Sequence, residues 1–343
     1  MIKTLKINNF KTIKELVLAD CRRINLFIGK PNAGKSNIIE ALTLPSLSFY
    51  MKENIGLVAE NKAKINIQNL FRVDEVRDLF FEGNIENKIS IALYGANFEY
   101  ALSYLKNENI FELQSYDGSF DRFDKFFTPK NEAGAVGTPV DMFVFKSQVE
   151  PESTGFNLLM SPFGNNLGEV LYYHRDLLLL AKDFLKDTNS NIVIDEKTFT
   201  LKNQIQLEEG VIRSLPYESL ADTFRRILFY VTVARHSLAP IIVLEEPEAH
   251  AYPPYVSFLA DELIAQTQKQ FFVVTHSPYL LNNLIENTPK EDLSVFVCGF
   301  DFKQKQTTAK RLSNEDLAEF LDYGVDIFFR IDKYLDNHAE YSL

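Results

Sequence analysis

Ile24-Asn25-Leu26-Phe27-Ile28-Gly29-Lys30-Pro31-Asn32-Ala33-Gly34-Lys35-Ser36 is the stretch on which the reading of this chain turns. Its first half is a short apolar run, the pattern of a strand buried on both faces of a sheet. Its second half, Gly29 to Ser36, matches G-x-x-x-x-G-K-[ST] at every position. Residues Ser36 to Leu44 have helical character and meet Pro45, which cannot continue a helix. Strand, glycine-bearing loop and helix therefore follow one another. The glycines let the loop curl so that its N–H groups face phosphate oxygens, and the helix N-terminus adds a favourable dipole. Lys35 is expected to reach the β- and γ-phosphates, and the Ser36 hydroxyl to ligate Mg²⁺. The expected ligand is a nucleoside triphosphate, cradled by Gly29, Lys30, Pro31, Asn32, Ala33, Gly34, Lys35 and Ser36.

Two further strand ends carry polar chemistry. Ile241-Ile242-Val243-Leu244 runs into Glu245-Glu246-Pro247-Glu248. Open parallel sheets bind ligands beyond the carboxyl ends of their strands. Glu245 and Glu246 point in different directions, so one can hold Mg²⁺ while the other orients and deprotonates an attacking water. Phe271-Phe272-Val273-Val274 leads in the same way into Thr275-His276-Ser277-Pro278. His276 at that mouth can contact the γ-phosphate or the water.

The rest of the chain sets bounds. Its 343 residues suit one large α/β domain, or a core with an inserted lobe. A net charge of −11 argues against non-specific coating of nucleic acid but leaves room for a local basic groove. Cys21 and Cys298 are too few for a disulfide framework or a cysteine metal cluster. Met1 to Lys6 alternates like a strand, not a signal peptide, and no long uncharged apolar segment predicts a membrane span. A cytoplasmic protein is expected. The predicted organisation is a core from 1–45 and 210–300, an inserted mixed β lobe at 46–145, a helical and hairpin lobe at 146–209, and a tail with a final helix at 301–343. Strands are expected at Ile89–Tyr94, Phe98–Leu105, Ile110–Gln114 and Met142–Phe145, with a flexible loop at Pro129–Pro139. Helices are expected at Asn166–Leu185, Leu220–Ser237 and Tyr255–Gln268, with a hairpin at Asn191–Gln206.

The three polar elements, in this order and after the opening Lys6-Ile7-Asn8-Asn9-Phe10-Lys11, resemble the ABC-type ATPase heads of the SMC, RecF and overcoming-lysogenization-defect superfamily. The chain looks most like the standalone AAA-type ATP-binding proteins of prokaryotic defence modules. The resemblance covers about residues 1–45 and 210–290. It implies an α/β P-loop NTPase with an ABC-ATPase-like core sheet, an N-terminal antiparallel β lobe and a helical lobe. It implies ATP with Mg²⁺, Glu245 at the Walker B metal position, Glu246 as catalytic glutamate and His276 as switch histidine. Gln148 would be the Q-loop glutamine linking metal to lobe motion, and Phe10 and Lys11 would lie near the adenine. Ser219, in Pro216-Tyr217-Glu218-Ser219-Leu220-Ala221-Asp222, stands where the family's signature helix caps a partner's γ-phosphate. The same Ser219-x-x-Asp222 spacing is also a helix-capping pattern. The signature here lacks its glycine, the metal position carries Glu where Asp is commoner, and His250 stands out of the usual register. A slow ATPase fits these departures.

The resemblance implies a switch that dimerises around ATP and gates a separate effector in phage defence or DNA processing. The stretch beyond Thr288 is expected to be too short for the Toprim domain that some relatives carry. The competing expectation is a nucleotide-dependent DNA-binding module with little turnover, using Lys3, Lys6, Lys11, Lys14, Arg22 and Arg23. A P-loop kinase is a third, which the Glu-Glu-Pro-Glu and Thr-His-Ser-Pro elements oppose.

Overall fold

A computed structural model describes residues 1–47, 67–131, 136–323, 328 and 331–335. In chain order the strands and helices begin with β1 (Thr4–Phe10), β2 (Ile13–Leu18), β3 (Ile24–Gly29) and α1 (Lys35–Leu42). Four strands follow, β4 (Ile89–Tyr94), β5 (Phe98–Leu105), β6 (Ile110–Ser115) and β7 (Phe120–Phe123), and then β8 (Val140–Phe143). Next come α2 (Leu167–Tyr173), α3 (Arg175–Leu185), β9 (Ser190–Ile194), β10 (Leu201–Glu208) and β11 (Val211–Pro216). The last third alternates: α4 (Asp222–His236), β12 (Ile241–Glu245), α5 (Pro253–Ala265), β13 (Gln270–Val274), α6 (Pro278–Asn287), β14 (Leu293–Asp301), β15 (Gln306–Arg311) and α7 (Asn314–Tyr323).

The near-continuous apolar strands gather in one sheet of order β15-β14-β3-β13-β12-β8. Strands β14, β3, β13, β12 and β8 run parallel, with Leu26 level with both Val273 and Val295. Every residue of β3 and β13 is buried, because both faces of the sheet are covered. Side-chain alternation divides the strands between two cores. Phe27, Val243, Phe272 and Phe296 face α1 and a second sheet, while Leu26, Ile28, Leu244 and Val273 face helices α2 to α6. The phenyl ring of Phe27 stacks 5.4 Å from Phe296 and 6.3 Å from Phe272.

The second sheet, order β2-β1-β4-β5-β6-β7, is antiparallel. Here the structure departs from the sequence expectation. Strands β4 to β7 extend the sheet begun by β1 and β2, with Ile7 opposite both Leu16 and Ile91, instead of forming a lobe of their own. The strand expected at Met142–Phe145 lies at Val140–Phe143 and forms the edge of the parallel sheet beside β12. The 191–206 hairpin gains Val211–Pro216 as a third strand. Strand β15, polar and unexpected, pairs antiparallel with β14. One long helix expected over 166–185 breaks at His174, whose N–H ends α2 on the Val170 carbonyl. Helix α1 ends at Leu42 with Thr43 as its C-cap, two residues short of the expected Leu44, the residue that Pro45 restricts directly. Part of the loop expected at Pro129–Pro139, including Gly134, lies outside the described residues.

Among the described residues no helix is long and apolar enough to cross a membrane.

Truncating Phe27 to Ala removes a fully buried ring from between two others and should cost about 3–5 kcal/mol in urea unfolding. A loss below about 1 kcal/mol would mean the two-layer packing over β3 is misread.

Candidate active site

The loop after β3 is shaped by what packs on it. Gly34 has φ +85°, and a Cβ there would lie 1.9 Å from Thr307 Oγ1, so the position admits only glycine. Thr307 comes from β15; its N–H donates to the Thr12 carbonyl, and the two hydroxyls meet at 2.6 Å. Asn37 Nδ2 donates to Thr12 Oγ1 at 2.6 Å. The β15 hairpin and the β1–β2 turn thus clamp the loop where it enters α1. Lys30, Pro31 and Asn32 form the exposed crest, with Lys30 paired to Asp332 at 2.6 Å, while Ala33 is buried. Lys35 is buried, and its ammonium donates to the carbonyls of Gly29 and Lys30, each at 2.9 Å. Burial draws its pKa below the ordinary lysine value, with Glu246 and Glu245 among the groups that oppose the shift.

Strands β3 and β12 flank β13, so their carboxyl ends open side by side. Across that mouth Ser36 Oγ donates to Glu245 Oε1 at 2.5 Å. A hydroxyl and a carboxylate this close are the hard oxygen donors that an octahedral Mg²⁺ takes, so the side chains present suit that ion. Glu245 also accepts from Arg72 Nη2 at 3.0 and 3.2 Å. The same guanidinium holds Glu40 Oε1, from Nε at 2.9 Å and Nη2 at 2.6 Å. Glu40 projects from α1, is fully buried and accepts from Lys11 as well, whose ammonium also reaches the Phe71 carbonyl. A buried carboxylate between two cations keeps its charge satisfied in a place where a lone charge would be costly.

Glu246 leaves the strand in a left-handed turn (φ +44°), its N–H donating to the Val274 carbonyl at 2.9 Å. That turn sends its side chain away from Glu245 and toward His276, with Oε1 3.6 Å from Nε2. This separation is an electrostatic contact, longer than a hydrogen bond. Glu248, buried, accepts from Thr275 Oγ1 at 2.5 Å and from the His276 N–H at 3.1 Å. It therefore fixes the backbone that carries His276. Burial raises the Glu248 pKa, and its second oxygen has no hydrogen-bond partner among the described residues. Burial likewise lowers the His276 pKa, aided by Lys35 and opposed by Glu246. The shift favours the neutral imidazole.

The structure brings together the phosphate loop, Glu245, Glu246 and His276, and leaves other expected residues elsewhere. Gln148 is exposed and lines a cleft with Lys146, Ser147, Asp222, Arg226 and His250. Among the described residues it has no hydrogen bond to Ser36 or Glu245. Ser219 does not lead the helix. It sits in a short turn before α4, where its hydroxyl donates to the Pro216 carbonyl at 2.7 Å and accepts from Asn203 at 3.1 Å. The helix N-cap is Ala221, and Asp222 pairs with Arg225 and Arg226 instead of closing a capping box. Phe10 is fully buried in the sheet core, and Lys11 is committed to Glu40. Sequence reading missed Arg72, Glu40, Thr307 and the positioning part of Glu248. Glu248 alone had a local signal, as the third acid of the strand end.

An NMR titration of the His276 imidazole should give a midpoint below the ordinary value of about 6.5. A midpoint above it would mean that Glu246, not burial and Lys35, governs this ring.

Comparison with known proteins agrees with the geometry. Residues 24–282 match the family described as "AAA domain, putative AbiEii toxin, Type IV TA system". An uncharacterised protein of Methanocaldococcus jannaschii is 34% identical over 110 residues, which are 32% of this chain. That match takes in 48% of the relative, so the chain spans about half the length of the curated protein it resembles. Among solved structures, an SMC head bound to the C-winged helix domain of ScpA superposes with a TM-score of 0.51 at 13% identity, over 92% of this chain and 98% of that one. The likeness extends to the fold, an α/β P-loop NTPase with an ABC-type core sheet. The family match runs from the start of β3 through the phosphate loop, the acidic end of β12 and His276, and the chain belongs to this AAA-domain family of P-loop ATPases.

Proposed function

We propose that the chain binds and hydrolyses ATP at the loop 29–36, and that ATP joins two copies into an assembly that gates a separate effector. The observation that carries the reading is the approach of Ser36 Oγ to Glu245 Oε1 at 2.5 Å, with Glu246 and His276 side by side at the same sheet edge. Lys35 and the loop N–H groups would hold the β- and γ-phosphates. Ser36 and Glu245 would hold Mg²⁺, which supplies charge neutralisation between phosphate oxygens when bound. Glu246 would take the proton of the water that attacks the γ-phosphorus, breaking the bond to the β-γ bridging oxygen. Neutral His276 would donate a hydrogen bond to the charge that develops, held in place by Glu248. Arg72, on Glu245, must share or yield that carboxylate when the metal is held.

Dimerisation is supported by exposed Glu218 and His250, which offer polar groups to a second copy, while the Ser219 hydroxyl is engaged within its own turn. A role in defence draws on the family's description as "putative AbiEii toxin, Type IV TA system". The DNA-binding alternative gains less from the geometry. Lys6 lies 3.8 Å from Glu15, Lys11 is bound to Glu40, Arg22 donates to the Leu293 carbonyl and Arg23 pairs with Asp292. Most of the proposed basic groove is thereby neutralised or inward-facing.

Glu246→Gln should retain ATP binding, slow phosphate release by about 10²–10⁴-fold and double in mass by light scattering with ATP and Mg²⁺. Slow release without growth would remove the dimer and keep the ATPase. Unchanged release would remove Glu246 as the base.

A further inference from the structure

At the far end of α4 from the Ser219 turn, three potential metal ligands converge that the nucleotide site does not use. His174 stands at the break between α2 and α3, Asp176 lies in the first turn of α3, and His236 is the last residue of α4. One ligand atom from each lies within 4.8 Å of the other two. The two imidazole centroids are only 3.6 Å apart, with their planes at 31°.

The hydrogen bonding prepares both rings for an ion. His174 Nε2 is 2.7 Å from the Asn157 carbonyl. A carbonyl only accepts, so Nε2 carries a proton and Nδ1 is the nitrogen left to face a ligand. A ligating histidine anchored through its other nitrogen to a backbone carbonyl is the usual arrangement at protein metal sites. His236 Nε2 is buried and has no hydrogen-bond partner among the described residues, a condition that calls for an explanation. Asp176 adds an anionic oxygen and is steadied by Arg235 Nη1 at 3.1 Å. The nearby Lys269 ammonium is tied to the Ala234 carbonyl at 2.8 Å and to Ser237 Oγ at 3.1 Å.

We propose that His174, His236 and Asp176 form a site for a divalent transition ion of the zinc class, with water completing the shell. Two imidazoles and one carboxylate suit such an ion and do not suit Mg²⁺, which prefers oxygen. Metal–ligand bonds of about 2.0–2.2 Å require the donor atoms to close on one another by roughly an ångström while the two tilted rings swing apart. The ion ties the C-terminal end of α4 to the α2–α3 break. It is separate from the nucleotide site, being held by the helical layer and not by the sheet edge.

The test uses the full chain without nucleotide, titrated with Zn²⁺ by calorimetry and with Co²⁺ by visible absorption. One ion per chain is expected, with the absorption of nitrogen-bound Co²⁺. His236→Gln and His174→Asn, each checked for native circular dichroism, should weaken binding about 10- to 100-fold, whereas Glu245→Gln should not. Absence of binding in the wild type, wild-type affinity in either histidine variant, or a loss confined to Glu245→Gln would each overturn the proposal.

Discussion

The order of the parallel strands is the constraint on which the rest depends. Because β13 lies between β3 and β12, the loops leaving β3 and β12 open beside each other, and Ser36 can reach Glu245. Residues far apart in sequence become one site only through that pairing. The apolar composition of these strands drives it, since each is buried on both faces and cannot remain at a solvated edge. Glu246 then owes its separate direction to a left-handed turn pinned by the Val274 carbonyl.

A second layer of order is electrostatic and ties the antiparallel sheet to the site. Lys11 follows β1, Arg72 precedes β4, and both converge on Glu40 of the helix that begins with Lys35. Arg72 continues to Glu245. A change in charge at Glu245 is therefore felt by a group rooted in the antiparallel-sheet layer. Double-mutant coupling is the proper measure of such a network, because its pairs do not add independently. Thr307 gives the β15 hairpin a comparable hold on the phosphate loop from the other side.

Local pattern made the strand–loop–helix at 24–42 readable, as it did the acidic end of β12 and the histidine after β13. The strands at Ile89–Tyr94 and Phe98–Leu105 were also readable to the residue, because alternation and turn residues bound them closely. Partnering was not readable, since it is settled by non-local pairing. Nothing within β4 says that it will lie against β1, and nothing within Val140–Phe143 says that it will join β12. Arg72 and Thr307 carry no motif at all; they matter through contacts across the fold. Ser219 shows the opposite failure. A valid capping spacing was present, but Asn203 and the Pro216 carbonyl took its hydroxyl and the helix began later.

The proposed pairing of Ser36 with Glu245 around Mg²⁺ would make nucleotide affinity depend on the ion. The most direct test compares ATP affinity with Mg²⁺ and with EDTA, in the wild type and in Ser36→Ala. The account predicts at least about tenfold tighter binding with Mg²⁺ in the wild type, roughly 1.4 kcal/mol, and loss of that difference in Ser36→Ala. Equal affinity with and without the ion in the wild type would contradict it.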